Sequence, residues 1–354
     1  MTDSNRRRFL TLTAGVVTGG LAGCLGGTAG SQSDAETTGS ASFFVFGDIL
    51  GHVAGDVATT ETLVPVGQHG HGWEPGPDIQ GRIYESALFV HGMPGFQPWA
   101  DDVLTSLEAD GADVVTVSAA ADVELHEIGA DGNHAHESHE EEEHHESGEH
   151  HDEEAHESGE HHDDGTHGED GDHDHGSIDP HFWMDPHRVA TATETVRDAL
   201  QRVDEANAEA YAANAESFRN ALTDLDETYE STLESRERDV VLVAGHNAYG
   251  YLADRYGFEV VALTGLSPDE EPSPQDIERA QETIDEHGIR HVLADPLESD
   301  RAATQLVNET AAEEVLPLTA IPGRTDEWDE RGWGYLEIMA ELNLPSLQTA
   351  LGAK

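Results

Sequence analysis

The sequence predicts an α/β protein of two lobes, each a parallel sheet flanked by helices, joined by one long rigid backbone helix. Three observations predict it. Short apolar runs alternate with helical stretches in both halves of the chain, the pattern of parallel strands covered on both faces. Residues 205–236 hold no Gly or Pro and carry Tyr211, Phe218, Leu222, Leu225, Tyr229 and Leu233 at spacings of three, four and seven. The 354 residues leave room for about two domains.

Along the chain, residues 42–46 (SFFVF) read as a strand and Asp48 as the cap of a short helix. Residues 62–66 (TLVPV), 87–90 (ALFV) and 113–117 (DVVTV) read as further strands, with 96–107 helical between the last two. The 131–176 tract then interrupts; it lacks the apolar residues for a packed core. Helices are expected at 186–203 and over the long stretch 205–236, up to ~48 Å at 1.5 Å per residue. Residues 239–243 (DVVLV) open a second α/β series, continued by strands at 258–263, 291–294 and 315–317 and by helices at 276–287 and 302–313. A closing helix spans 334–351, which Pro345 should kink or end. The expected organisation is a signal at 1–23, a tether at 24–41, a first lobe at 42–204, a linking helix at 205–236 and a second lobe at 237–354.

Charge excludes several partners. Lys+Arg number 17 against 73 Asp+Glu, a formal charge of -56, and Lys354 is the only lysine. Such a surface repels nucleic acid and anionic lipid. Taking away the 19 acids of the 131–176 tract, which has no Lys or Arg, still leaves -37. The acidity is therefore general, and it suits a protein working at molar salt, where the Debye length falls to ~3 Å. One cysteine, Cys24, excludes intrachain disulfides and Cys-based zinc sites.

The N-terminus reads as an address. Arg6-Arg7-Arg8-Phe9-Leu10 and the uncharged stretch to Gly23 have the basic, apolar and small-residue zones of an export signal, too short for a good membrane span. The arginine pair resembles a twin-arginine signal. Leu21-Ala22-Gly23-Cys24 resembles a lipobox, which makes Cys24 the expected lipid anchor. The Gly-, Ser- and Thr-rich residues after it suit a flexible tether.

Three histidine contexts carry the chemistry. Gly67-Gln68-His69-Gly70-His71-Gly72-Trp73-Glu74-Pro75 follows a predicted strand, where open α/β sheets present ligand-binding loops. Asp179-Pro180-His181-Phe182-Trp183-Met184-Asp185-Pro186 holds His181 between two rigid Asp-Pro turns. His246 sits at the C-terminal end of the predicted 239–243 strand, before a helix, in Gly245-His246-Asn247-Ala248-Tyr249-Gly250-Tyr251-Leu252. His187 reads as solvated at a helix start, and His52, His91, His287 and His291 as structural. Zinc takes neutral imidazole nitrogens in near-tetrahedral sets.

These motifs resemble the cluster 9, TroA-like family of metal-binding lipoproteins that serve ABC importers, and within it the zinc-uptake branch with a His-rich acidic loop. The family's ligand His followed by an aromatic, Glu-Pro and a later Pro-Asp matches His71, Trp73, Glu74, Pro75, Pro77 and Asp78. Its Asp-Pro-His-x-Trp-x-Asp-Pro matches Asp179 to Pro186 with His181 as ligand, and its third motif matches His246, Tyr249, Gly250, Tyr251 and Leu252. The resemblance covers about 42–350. It implies one metal ion between lobes on His71, His181 and His246, a membrane permease with its ATPase as partner, a monomer, and a place outside the membrane held by lipid on Cys24. Where many members have an Asp as fourth ligand, Thr319 stands here. The simplest expectation is a three-His site completed by water, with Asp295 able to approach. Imidazoles favour zinc, copper or nickel; zinc leads and manganese is the alternative.

The 131–176 tract has 13 of the 23 His at irregular spacing, so it specifies many weak sites rather than one. It is expected to raise local metal concentration and hand zinc to the cleft. Two other readings stay open at this point: a zinc hydrolase, since three His plus water is also a catalytic set, and a surface metal buffer. No H-E-x-x-H pair favours the hydrolase.

Overall fold

The computed structural model describes residues 37–70, 72–127, 178–266 and 270–354. The signal, Cys24, His71 and the 131–176 tract lie outside the described residues. The strand–helix alternation forms two four-stranded parallel sheets. The first contains β1 (Thr38–Ala41), β2 (Thr59–Thr62), β3 (Leu88–His91) and β4 (Val115–Ser118), in the order β2-β1-β3-β4. Its helices are α1 (Phe44–Ala54), α2 (Pro77–Glu85) and α3 (Pro98–Asp110). The second contains β5 (Val240–Val243), β6 (Glu259–Ala262), β7 (His291–Ala294) and β8 (Glu314–Pro317), in the matching order β6-β5-β7-β8. Between the sheets run α4 (Pro186–Val203) and α5 (Ala208–Leu233), preceded by a 3-10 turn at Glu205–Asn207. The second lobe adds α6 (Gly250–Tyr256), α7 (Pro274–His287), α8 (Arg301–Glu309), α9 (Asp326–Glu330), α10 (Tyr335–Ile338) and α11 (Leu344–Leu351).

Several expectations shift. Residues 42–46 are not a strand: β1 lies at Thr38–Ala41, inside the expected tether, and Phe44 already belongs to α1. Eight of the 11 residues of α1 are buried, so its apolar residues run all round the helix. A continuous apolar run of that kind cannot be told from a buried strand by periodicity. Likewise β2 is the polar TTET at Thr59–Thr62, not 62–66, because it is an edge strand whose side chains are only partly covered. The closing helix does not stop at Pro345. A π-helical turn at Met339–Asn343 widens the backbone just before α11, which absorbs the missing N–H and the ring clash one turn back.

The long helix buries all six of the residues that revealed it: Tyr211, Phe218, Leu222, Leu225, Tyr229 and Leu233. At 26 residues and 1.5 Å each it is about 39 Å long. One apolar cluster runs from Ala41 and Phe46 of the first lobe through Leu222 and Tyr229 to Val241, Leu293 and Leu351 of the second. The two lobes thus share an interior. Among the described residues, no helix is long and apolar enough to cross a membrane.

Candidate metal centre

In an open parallel sheet, ligands bind beyond the strand C-termini, where the strand order reverses. In the second sheet that point lies between β5 and β7. The loop after β5 carries His246 and the loop after β7 carries Asp295 and Glu298. In the first sheet the equivalent point is filled by rings: Phe43 packs on Phe46, Phe96 and Trp183 at centroid distances of 5.4, 5.1 and 5.0 Å. Trp183 then donates its indole N–H to the Ala320 carbonyl of the second lobe at 2.8 Å. The segment just before Trp183 is held at the mouth of the cleft, and that segment contains His181.

His181 is fully buried at the head of a 3-10 turn, Phe182–Met184. Its Nδ1 lies 2.7 Å from Oδ1 of the equally buried Asp179. A carboxylate there fixes the proton on Nδ1 and leaves the lone pair on Nε2, the arrangement of a metal-ligating histidine. Burial lowers the His181 pKa, against the opposing pull of Asp179, so the ring stays neutral. The His181 and His246 rings lie 5.4 Å apart, and His246 and His69 lie 6.1 Å apart. Two imidazoles on one zinc put their ring centres about 5 Å apart. The first pair has nearly that spacing and the second is somewhat wider. Among the described residues no three donors yet stand at ligand distance from one point.

Glu298 joins the cluster. Its Oε1 accepts from His246 Nδ1 at 2.9 Å and lies 3.4 Å from His69 Nε2. Burial would raise its pKa, but the hydrogen bonds and charge of the two histidines prevail and hold it at about 2. Gly245 makes room for this carboxylate, since a Cβ there would stand 2.9 Å from Glu298 Oε2. Gly70 does the same for the 67–72 loop: a Cβ would meet the Phe43 ring at 2.4 Å and the Pro322 carbonyl at 2.7 Å. That close packing, with Gly70 N–H donating to Pro322 at 2.9 Å, carries His69 to the cleft.

Of the expected ligands, the structure therefore brings His181 and His246 together. His71 lies outside the described residues, and the histidine of its loop seen in the cluster is His69. Asp295 is buried close by, but its oxygens are engaged: Oδ2 accepts from Thr319 Oγ1 at 2.7 Å and Ala320 N–H at 3.1 Å, and Oδ1 from Leu297 N–H at 2.8 Å. Burial raises its pKa. Thr319 is thus a partner of Asp295 rather than a cleft donor. The two fix the 318–324 loop, where Ile321 adopts a left-handed φ of 58°. That conformation costs a branched residue roughly 1–2 kcal/mol. Glu298 was not foreseen, although it ends the same Asp-Pro turn that drew attention to Asp295. His187 is exposed, as expected, and also bonds Asp226 at 3.0 Å.

A two-lobed α/β scaffold with histidines and a glutamate gathered at its cleft has the form of a solute-binding protein. The chain belongs to the family described as zinc-uptake complex component A, periplasmic (ZnuA), whose model matches residues 40–350. It is 28% identical over 312 residues to the high-affinity zinc uptake system protein ZnuA of Bacillus subtilis, covering 88% of this chain and 86% of that one. It is 29% identical over 321 residues to the zinc-binding lipoprotein AdcA of Streptococcus pneumoniae, covering 90% of this chain and 56% of that longer protein. The crystal structure of the Zn(II)-bound ZnuA-like domain of AdcA from S. pneumoniae matches the fold with a TM-score of 0.67 at 23% identity, over 89% of this chain and 99% of that one. These relatives are named for uptake and binding, and the chain is a binding protein, not an enzyme.

Proposed function

We propose that this protein captures one Zn²⁺ outside the membrane and delivers it to an ABC permease and its ATPase. The observation that carries the reading is the gathering of His181, His246, His69 and Glu298, from four separate chain segments, at the cleft end of the second sheet. The tight site takes His181 and His246, one histidine of the 67–72 loop and Glu298 as oxygen donor. The motif favours His71 for the loop position, and the cluster contains His69. Asp295 supports the site through Thr319 rather than touching the ion. A set of imidazoles with one carboxylate suits zinc. With Glu298 taken as a donor, the preference over manganese rests on the imidazole majority and on relatives named for zinc. The export signal and lipobox support a protein anchored through Cys24, acting as a monomer in concentrated salt. The 131–176 tract gathers zinc for the cleft, separately from the tight site.

The test is metal stoichiometry. Protein lacking 131–176 should bind less total zinc but keep one tight equivalent. His181→Ala, His246→Ala and Glu298→Gln should each lose it or weaken it by 10-fold or more. Comparing His69→Ala with His71→Ala assigns the loop ligand. Retention of the tight equivalent in both His181→Ala and His246→Ala would overturn the site, and its loss with the tract would overturn the division of labour.

A further inference from the structure

The segments bearing His181 and His246 are tied together by one phenol. Tyr251 lies at the start of α6, five residues after His246, and is fully buried. Its hydroxyl donates to the Asp179 carbonyl at 2.7 Å and accepts the His126 N–H at 2.8 Å. Asp179 in turn donates its N–H to the His126 carbonyl at 3.0 Å. Its carboxylate accepts from both the backbone N–H and Nδ1 of His181, at 2.9 and 2.7 Å. One hydroxyl of the second lobe thus grips two adjacent strands of backbone in the first, just inside the antiparallel bridge of Glu127 with Ile178.

The ring is held independently of the hydroxyl. The His126 imidazole stacks on it at 4.0 Å, and the Arg188 guanidinium stands 4.8 Å from its centre. His126 Nε2 also lies 3.6 Å from Asp254 of α6. Burial pushes the phenol pKa up, so the hydroxyl remains a donor wherever imidazoles bind metal. Packing therefore secures α6, while the hydroxyl sets a distance. Metal affinity depends on holding donors to about 0.5 Å, and this tie ends two residues from one histidine and five from another.

We infer that Tyr251 is a positioning residue for the metal centre: through Asp179, its hydroxyl sets where His181 stands relative to His246. This rests on the reading of those histidines as ligands. The full chain, in molar salt, is compared as wild type, Tyr251→Phe, Tyr256→Phe, Asp179→Asn and His181→Ala. The readouts are chelator competition for the tightest zinc, the zinc release rate, and the visible absorption of substoichiometric Co²⁺. Tyr251→Phe should weaken the tight site about 10-fold, mostly through faster release, and shift the Co²⁺ bands. Asp179→Asn should shift them in the same direction, from the other end of the relay. Tyr256→Phe, which removes a hydroxyl of the same helix that bonds Asp226 at 3.0 Å, should change neither. Unchanged release and Co²⁺ bands in Tyr251→Phe overturn the inference, as does an equal effect of Tyr256→Phe. If His181→Ala keeps the tight site, the ligand reading itself falls. If it loses the site while Tyr251→Phe is silent, only the positioning role falls.

Discussion

At the scale of single residues, two shifted acid–base groups define the pH range of the centre. Glu298 is held at about 2, below its ordinary 4.5, and His181 is lowered from 6.5. Both folded-state values are depressed, so both contributions to stability are present at neutral pH. That of His181 is lost as pH falls below 6.5, and that of Glu298 only as pH falls from 4.5 toward 2. The carboxylate stays anionic throughout the range in which imidazoles exchange protons for metal. Zinc affinity at the tight site should therefore fall as pH is lowered from 8 to 5, with His181, its pKa lowered by burial, taking up a proton only below 6.5. Chelator competition between pH 5 and 8 measures this; a fall already complete at pH 7 would contradict it. His181 and His246 were legible in the sequence because rigid Asp-Pro turns and a strand end frame them. Glu298 was not, because its partners, Gly245 and His246, lie about fifty residues away in the chain. A carboxylate in so acidic a sequence carries no signal until the fold selects it.

At the scale of elements, the joint between α4, α5 and α6 is ionic. Asp226, buried in α5, accepts from Arg255 of α6 at 2.9 and 2.5 Å and from Tyr256 at 3.0 Å, and it bonds His187 of α4 at 3.0 Å. Removing one partner of a buried pair leaves the other charge desolvated, which typically costs about 3–5 kcal/mol. Arg255 is partly exposed, so Asp226→Ala should cost about 3 kcal/mol, read as a lower denaturation midpoint at constant salt. A change within 0.5 kcal/mol would mean that water replaces the pair. Helices such as α4 and α5 were legible because each has one buried face, and β7 because it is flanked by turns. The first strand was missed because α1 is apolar on every side and the true strand, TGSA, is built of small residues. What decides between them is tertiary burial, which a periodicity cannot contain.

At the scale of the molecule, surplus acid covers the described lobes as well as the tract. Self-repulsion should be relieved as salt shortens the Debye length from ~10 Å at 0.1 M to ~3 Å at 1 M. The unfolding midpoint should rise steeply with KCl over that interval, in the full chain and in the protein lacking 131–176 alike. A rise confined to the full chain would assign the effect to the tract. The lobe–helix–lobe order was legible, since two alternating series flank an uninterrupted helix. The sharing of one interior between the lobes was not.

That shared interior has a consequence for unloading. Halves fused through Leu222, Tyr229 and Leu293 have no dry seam along which to swing apart. On the proposed function, a permease receiving the ion would instead peel back a few residues at the rim, such as the glycine-rich turn bearing His69 or the bend bearing Glu298. The bulk of the molecule would then pass from laden to empty as a nearly unchanged solid.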